Sequence, residues 1–453
     1  MKIEQKSLIE ASAEDLYRWH ARKLTFQRLL PPWEKVEVLE MGEGLDTGRR
    51  VVLKVSTPLG SKEWVGEHTA HSENEFFEDT QTAGPFKKWN HRHTFEAGGE
   101  EQSRLIDSIE FELPLGILGR VFGERFVRKK LERGFAYRHK IARNDLKLYL
   151  KFKDEPRLHI LIAGGSGFIG RALHCLLETQ GHTVSILTRR PTLDTDIGWD
   201  PENGSIGLKK ESRFDVVINL AGENLFSKRW TERNKKAFWS SRVDTTRFLV
   251  DSLKSLNTPP NVFIAGSAIG IYGNRGDERL TEDSGIGKGF LADLCSAWEN
   301  EACRAEEFIE RVALLRTGIV LDPRGGALAL MHRPFRLGVG GPLGDGQQWF
   351  PWIALDDWLY ATYKIIMTRS ARGPFNLVSN GCSRNGSFSK DLAKSLKRPC
   401  LFRVPEFALR SLFGEMAEET LLSSSRAVPH RLEAELGFQF RYSRARDAFS
   451  SLL

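Results

Sequence analysis

The residues able to do chemistry gather in a few short runs. The first is Gly164-Gly165-Ser166-Gly167-Phe168-Ile169-Gly170, with Gly164, Gly167 and Gly170 at every third position. An apolar run, His159–Ala163, leads into it, and a helix-forming stretch, Arg171–Gln180, leaves it and stops at Gly181. Strand, glycine turn and helix in this order make a pyrophosphate cradle. The first glycine permits the tight turn, the second lets the backbone approach the phosphates, and the third lets the helix pack close to the strand. The N–H groups of the helix start then face the anion. The second run lies at the tip of the next apolar stretch, Thr183–Thr188, which ends in Arg189-Arg190. A carboxylate there would take a ribose 2′-hydroxyl, whereas an arginine accommodates a 2′-phosphate. The expected cofactor is therefore NADP(H), with Arg189 on its extra phosphate. The third run is Ala221-Gly222-Glu223-Asn224, after the strand Asp215–Leu220. Its small residues let a cofactor lie over the strand's carboxyl end, where open α/β sheets bind ligands.

Acid–base candidates follow further along. Ser267 and Tyr272 fall in Gly266–Gly273, which opens from the strand Asn261–Ala265. Asp293 lies one turn into the helix Gly289–Glu310, and Glu223 and Lys228 share the loop after Leu220. Ser267, Tyr272 and Asp293 are the first catalytic candidates. The plainer alternatives are that Tyr272 packs under a nicotinamide and that Asp293 decorates its helix. Trp349, Phe350 and Trp352 are placed either to stack on a substrate or to anchor a small lobe. No metal is expected. The five cysteines, Cys175, Cys295, Cys303, Cys382 and Cys400, form no CxxC pair, and Cys295 and Cys303 on one helix suit core packing. His91 and His93 share a strand face, with His68 and His71 on a nearby strand. Trp89 and Phe95 flank the pair on that face, so these histidines are expected to line a core or cavity.

Positioning such groups takes folded domains of some size. The chain has 453 residues, 40% hydrophobic and 28% charged. That length corresponds to roughly three domains, and the composition excludes disordered and fibrous classes. No apolar run approaches the ~18 residues of a membrane-spanning helix, and MKIEQKSLIEASAEDLYRW lacks the apolar stretch of a secretion signal. With unpaired cysteines, this predicts a cytoplasmic protein without stable membrane insertion. The net charge of +7 is local: Arg120–Lys153 holds 12 Lys and Arg against 3 acids, so the remainder is slightly acidic. Nucleic acid is therefore not an expected partner. The basic stretch is the solvated face of a helix or a contact for the neighbouring domain, or else a contact for acidic lipid or nucleic acid.

Up to residue 153 the pattern is strands and then one long helix. Ser12 is placed to cap a helix over Ala13–His20. Strands are expected at Trp33–Met41, Arg49–Val55, Lys62–His71, Glu75–Thr82, Phe86–Ala97 and Gln102–Glu112. Trp89, His91, His93 and Phe95 alternate onto one face; Leu105, Asp107, Ile109, Phe111 and Leu113 share another. A curved sheet wrapped on one helix predicts an apolar space for a lipid-like or aromatic ligand. From Arg157, past the charged junction with Pro156, apolar strands alternate with helices, Arg311–Leu321 among them. This predicts an α/β domain with a doubly wound parallel sheet.

With LLPPWEKVEVLE and FFEDTQTAGPFKKWNHRHTF, residues 1–153 resemble the helix-grip (SRPBCC) superfamily of START, polyketide-cyclase and coenzyme Q-binding-like domains. The resemblance implies a hydrophobic ligand there. From Leu158 onward the chain resembles an atypical extended short-chain dehydrogenase/reductase, the branch called NAD-dependent epimerase/dehydratase or epimerase family protein. NLAGENLFSKRW, SRVDTT, SAIGIYGNRGDERLTEDS, LLRTGIVL, PFRLGVGGPLGDGQQWFPWI and FALRSLFGEMA carry that resemblance. It implies a Rossmann-type NADP-binding domain over 157–398 and a small extension over 399–453. It also implies Thr188, Arg189, Leu220, Ala221 and Arg242 as cofactor contacts, beside the glycine loop and Gly222. The usual YxxxK pair is missing: with Glu299 aligned, Leu291 and Cys295 stand in its place. Two functions follow: hydride transfer, oxidoreductase- or epimerase-like, on an apolar or sugar-nucleotide-like small-molecule substrate, or NADP(H) sensing without catalysis. A lipid-carrying first domain is a third.

Overall fold

Strands with one apolar face need a covering layer, and in the first part of the chain a single long helix supplies it. The computed structural model describes residues 1–57, 60–114 and 116–453. These fall into two units: Met1–Pro156 with Cys175–Gly181, and Arg157–His174 with His182–Leu453.

The first unit runs β1 (Lys2–Ile9), α1 (Ala13–His20), α2 (Thr25–Leu29), β2 (Val36–Met41), β3 (Arg50–Thr57), β4 (Gly60–Ser72), β5 (Phe76–Ala83), β6 (Lys88–Ala97), β7 (Ser103–Glu112) and α3 (Gly116–Lys151). Its seven strands form one antiparallel sheet in the order β1-β7-β6-β5-β4-β3-β2. Ser12 caps α1 as its type predicts, its Oγ accepting the Asp15 N–H at 3.0 Å. Phe95 and Leu105 pack with Ala142 and Leu146 of α3; Trp89, Ile109 and Phe111 pack with Phe135. Arg28 ties α2 to α3 by donating to both oxygens of the buried Asp145, each at 2.9 Å. On α3, Arg125, Lys129, Arg143, Lys147 and Lys151 are exposed, a solvated basic face. His91 lies in the core, as expected of the strand histidines. The interior is not uniformly apolar, because Asp107 and His139 are buried with it.

From Arg157 the chain runs β8 (His159–Ala163), α4 (Phe168–Thr179, whose last residues from Cys175 group with the first unit), β9 (Thr183–Thr188), β10 (Asp196–Asp200), β11 (Ser205–Ile206), β12 (Val216–Asn219), α5 (Glu232–Ser240), α6 (Val243–Lys254), β13 (Val262–Ala268), β14 (Arg279–Leu280), α7 (Phe290–Cys303) and β15 (Arg311–Thr317). It continues through β16 (Ile319–Leu321), α8 (Gly326–Arg336), β17 (Trp349–Phe350), β18 (Trp352–Ala354), α9 (Leu355–Met367) and β19 (Gly373–Leu377), followed by short helices to the C-terminus. The main sheet has eight strands in the order β11-β10-β9-β8-β12-β13-β15-β19. All its pairings are parallel except that of β11 with β10. Leu161, Val217 and Phe263 pack with Leu249 and Leu253 of α6 and Ala302 of α7. The alternate residues Ile160, Ile162, Val216 and Ile218 are equally buried, so both faces are covered. That is why these strands are continuously apolar. The chain winds outward in opposite directions from β8 and β12, and the crevice at their carboxyl ends is the topological switch point where such sheets bind ligands.

Two boundaries differ from expectation. β13 extends to Ala268, so Ser267 lies on the strand and not in the loop after it. The stretch expected as one strand, Arg311–Leu321, breaks at Gly318, and its last part pairs with β18 in a separate two-stranded sheet. A Cβ at Gly318 would lie 2.8 Å from Pro351 O, so this close crossing needs a glycine. Among the described residues no helix is long and apolar enough to cross a membrane.

Candidate functional site

The glycine loop leaves β8 at the switch point. Gly164 has φ +81°, and a Cβ on it would lie 2.6 Å from the carbonyl carbon of Leu220, at the end of β12. A Cβ on Gly170 would lie 2.2 Å from Gly164 O and 2.8 Å from Gly165 Cα. The start of α4 therefore crosses the turn at a distance that only glycine allows. Gly165 is pressed against Ile186 of β9. Gly167 differs: it is exposed, and its Cβ would meet only Gly164 O, at 3.1 Å. Gly167 N–H donates to Gly164 O at 3.0 Å and Arg171 N–H to Gly167 O at 2.9 Å, which closes the turn. First-turn N–H groups lack intrahelical acceptors and sit at the positive end of the helix dipole. A pyrophosphate fits this cradle, with Ser166 and Gly167 on the open side and Phe168 and Ile169 beginning the helix.

Around it stand the other expected contacts. Thr188 ends β9 and accepts the Arg190 N–H on its Oγ1 at 3.2 Å; Arg189 beside it is exposed. Leu220 and Ala221 are half-buried above β12 and Gly222 is exposed. A Cβ on Gly222 would lie 3.0 Å from Arg242 Cζ, so the loop rests on that guanidinium. Arg242 lies 5.5 Å from the Trp298 ring centre, and burial lowers its pKa from the usual range.

The acid–base candidates are divided. Ser267 Oγ donates to Glu299 Oε1 at 2.6 Å. Arg316 on β15 grips the same carboxylate from Nε at 2.8 Å and Nη2 at 2.9 Å. Its Nη1 donates to the Tyr272 hydroxyl at 3.0 Å and to Glu282 O at 2.9 Å. Tyr272 in turn donates to Asn376 Oδ1 at 2.7 Å, and Asn376 N–H donates to Glu282 Oε1 at 3.0 Å. Ser267 and Tyr272 thus join one buried network at the carboxyl ends of β13, β15 and β19. Burial raises the Tyr272 pKa more than the Arg316 cation lowers it, and the ring is 0% exposed. Both hydroxyl protons point into protein. Asp293 is not part of this group; it is exposed in the first turn of α7. Leu291 covers Gly270, and Cys295 is buried with its thiol pushed up to about 12, so neither replaces the missing Tyr and Lys. Glu223 and Lys228, in the loop after β12, form an ion pair at 2.5 Å.

Phe350 and Trp352 pack with Phe388 and Phe449 inside the small lobe. Trp349 donates from Nε1 to Asp277 at 2.7 Å, and the Arg384 and Arg426 guanidinium carbons lie 5.0 and 4.6 Å from its ring centre. These aromatics anchor the lobe. A cavity of about 290 Å³ nearby is lined by Arg384, Lys390, Arg403 and Asp345, among others. The roles of Glu299, Arg316, Glu282 and Asn376 were not apparent from sequence. One signal was available: a charge inside the apolar run Arg311–Leu321 must find a buried partner.

Residues 160–377 match the NAD dependent epimerase/dehydratase family, residues 9–133 match the family described as polyketide cyclase / dehydrase and lipid transport, and residues 404–452 match a domain of unknown function. An epimerase family protein of Mycobacterium bovis is 37% identical over 285 residues, which span 63% of this chain and 94% of that protein.

The chain belongs to the NAD dependent epimerase/dehydratase family.

An epimerase family protein from Arabidopsis thaliana, described as chloroplastic, is 36% identical over 310 residues, 66% of this chain and 88% of its own. Among solved structures, a nucleoside-diphosphate sugar epimerase from Corynebacterium glutamicum is similar with a TM-score of 0.82 and 30% identity, covering 99% of this chain and 90% of that one. A human epimerase family protein crystallised with NADPH is similar with a TM-score of 0.60 and 31% identity, over 65% of this chain and 98% of its own. This epimerase family member therefore joins a Rossmann-type sheet to a helix-grip domain of the polyketide-cyclase kind.

Proposed function

We propose that this epimerase family member binds NADP(H) at the glycine loop and carries out hydride transfer on a nucleoside-diphosphate sugar or similar small molecule. The observation that carries the proposal is the Gly164–Gly170 crossing at the switch point, with exposed Arg189 at the tip of β9. The human relative's crystallisation with NADPH and the Corynebacterium relative's description as a nucleoside-diphosphate sugar epimerase support it. The basic lining of the small cavity suits an anionic substrate group. When bound, the nicotinamide supplies the hydride donor or acceptor.

The chain's own residues do the rest. Loop amides hold the pyrophosphate, Thr188 and Arg189 take the 2′-phosphate end, and Leu220, Ala221, Gly222 and Arg242 shape the floor. Ser267, whose proton is held by Glu299, acts as an acceptor that orients a substrate hydroxyl. Tyr272 positions Arg316. Proton transfer falls to the Lys228–Glu223 pair, which opens toward solvent where Tyr272 does not. The proposed division is a helix-grip domain over 1–153, the NADP domain over 157–398 and the extension over 399–453, in a cytoplasmic protein.

Calorimetry with NADPH and NADH tests the cofactor assignment. Wild type should prefer NADPH, and Arg189→Ala should lose about tenfold, roughly 1.4 kcal/mol; equal affinities unchanged by that substitution overturn it. Deuterium at nicotinamide C4 tests turnover. Tight NADPH binding with no deuterium transfer from any nucleoside-diphosphate sugar or carbonyl compound would leave sensing as the function.

A further inference from the structure

The helix-grip interior holds a cluster that the nucleotide site does not use. β5, β6 and β7 are neighbours, and their register places Asp79 opposite His91 and Asp107 opposite His93. His91 and His93 are two apart on β6, so both face inward with Asp79 and Asp107 beside them. Asp79 Oδ2 lies 3.3 Å from His91 Nδ1 and 3.9 Å from His93 Nε2. One ligand atom from each of the three falls within 4.8 Å of the others.

We propose that Asp79, His91 and His93 form a binding site for a divalent metal ion of the zinc class, open at a fourth position toward the interior of the domain.

The first support is spacing. A tetrahedral ion about 2.1 Å from its nitrogen and oxygen ligands holds them roughly 3.4 Å apart. The shorter separation already fits, and the longer one needs an adjustment of about half an ångström. The second support is the far side of both rings. His93 Nδ1 lies 2.5 Å and His91 Nε2 3.5 Å from the same oxygen, Asp107 Oδ1. Asp107's other oxygen is held by His139 Nε2 at 2.8 Å. Metal-bound imidazoles present their second N–H to a carboxylate, which fixes tautomer and ring orientation; here one buried carboxylate serves both rings, and α3 fixes that carboxylate. The third support is incomplete satisfaction. His91 Nε2, His93 Nδ1 and Asp107 Oδ1 are buried without a well-directed hydrogen bond among the described residues. Rings turned to meet an ion on the Asp79 side would align these bonds.

The surroundings suit a cation. Two carboxylates, Asp79 and Asp107, face one guanidinium, Arg138, which interacts with both. With neutral imidazoles the cluster carries net negative charge. Phe77 stacks on His93 at 4.1 Å between ring centres, and Phe135 approaches His91 at 5.5 Å. Apolar walls of this kind exclude competing water. Two imidazoles and a carboxylate select a first-row ion such as zinc over magnesium or calcium. Three protein ligands leave one position for water or for an oxygen atom of a molecule held in the grip, the arrangement of zinc sites that do chemistry.

The test uses the full chain, purified with chelator and dialysed. Zinc chloride titrated in a calorimeter should bind with one equivalent, and cobalt(II) should give the visible bands of a four- or five-coordinate site. Asp79→Asn and His93→Gln, each checked for folding by circular dichroism, should abolish the bands. Asp107→Asn keeps all three ligands and should weaken affinity about 10- to 100-fold. If folded wild type takes up neither ion, the proposal is wrong and the cluster is a proton-held ion network. If the bands persist unchanged in both ligand variants, the ion is adventitious and bound elsewhere, which overturns it equally. Failure of folded wild type to take up either ion overturns the proposal even where a variant fails to fold.

Discussion

Replacing Gly167 with alanine separates the loop's role in holding a ligand from its role in the fold. At Gly170 the two cannot be separated, because a Cβ 2.2 Å from Gly164 O forces the helix off the turn. Overpacking of that kind costs about 1–3 kcal/mol. At Gly167 the Cβ meets only Gly164 O, at 3.1 Å, a few tenths of an ångström tighter than ordinary contact. A Gly→Ala change also stiffens the unfolded chain, worth about 0.4–1 kcal/mol. The two effects offset, and the melting temperature should stay within about 2 °C of wild type. The added methyl stands on the exposed side of the turn, where phosphate oxygens must come within about 3 Å of the amides. It displaces them by roughly an ångström and loses one or two charge-assisted hydrogen bonds, each worth about 1.5–3 kcal/mol. NADPH affinity should fall by at least about tenfold and by up to about 160-fold for one lost bond. Calorimetry and a thermal melt on the same preparation read both quantities. An unchanged melt with NADPH affinity within twofold of wild type refutes the phosphate cradle.

Two further predictions concern buried carboxylates. Glu299→Gln removes the charge that holds Arg316, both side chains being about 10% exposed. Breaking a buried pair on one side costs about 3–5 kcal/mol; the urea midpoint should drop by the equivalent of about 3 kcal/mol, and a loss under 1 kcal/mol contradicts the network. Asp357 in α9 is buried and accepts the Arg441 and Tyr442 N–H groups at 3.0 and 3.2 Å, yet burial raises its pKa to about 7. The folded chain then keeps a proton that the unfolded chain loses near 3.8. Its contribution is full below pH ~4 and declines as pH rises to 7, by up to about 4 kcal/mol. Asp357→Asn should flatten that decline in urea titrations between pH 4 and 7, and an unaltered slope would show that Asp357 is ionised throughout.

Local pattern foretold local structure well. Alternation along Trp89–Phe95 and Leu105–Leu113 marked β6 and β7, and unbroken apolar runs marked β8 and β9, because burial on one face or two writes directly into residue order. The glycine loop was legible for the same reason: tight backbone crossings exclude side chains. Groups that meet across the fold were not legible. Asp107 lay on an otherwise apolar face of β7, but His91 and His93 reach it from one neighbouring strand and His139 from a helix. Tyr272 looked like an acid in a loop, and only the parallel sheet brings Arg316 and Asn376 to its hydroxyl. The apolar space was expected from the fold's outline; the polar groups buried in the same domain, His91, Asp107 and His139, come together only in three dimensions.

The network under the cleft also bears on what it would take to restore the missing tyrosine and lysine. A lysine at position 295 would enter a buried spot already influenced by Arg242 and Arg316, with Glu299 the neighbouring acid. Changes at 267, 272, 299, 316 and 376 would have to arrive together, since each leaves another's proton or charge stranded. Reinstating a tyrosine at 291 and a lysine at 295 therefore adds a further cation beside the Glu299–Arg316 pair and does not by itself return an acid–base pair.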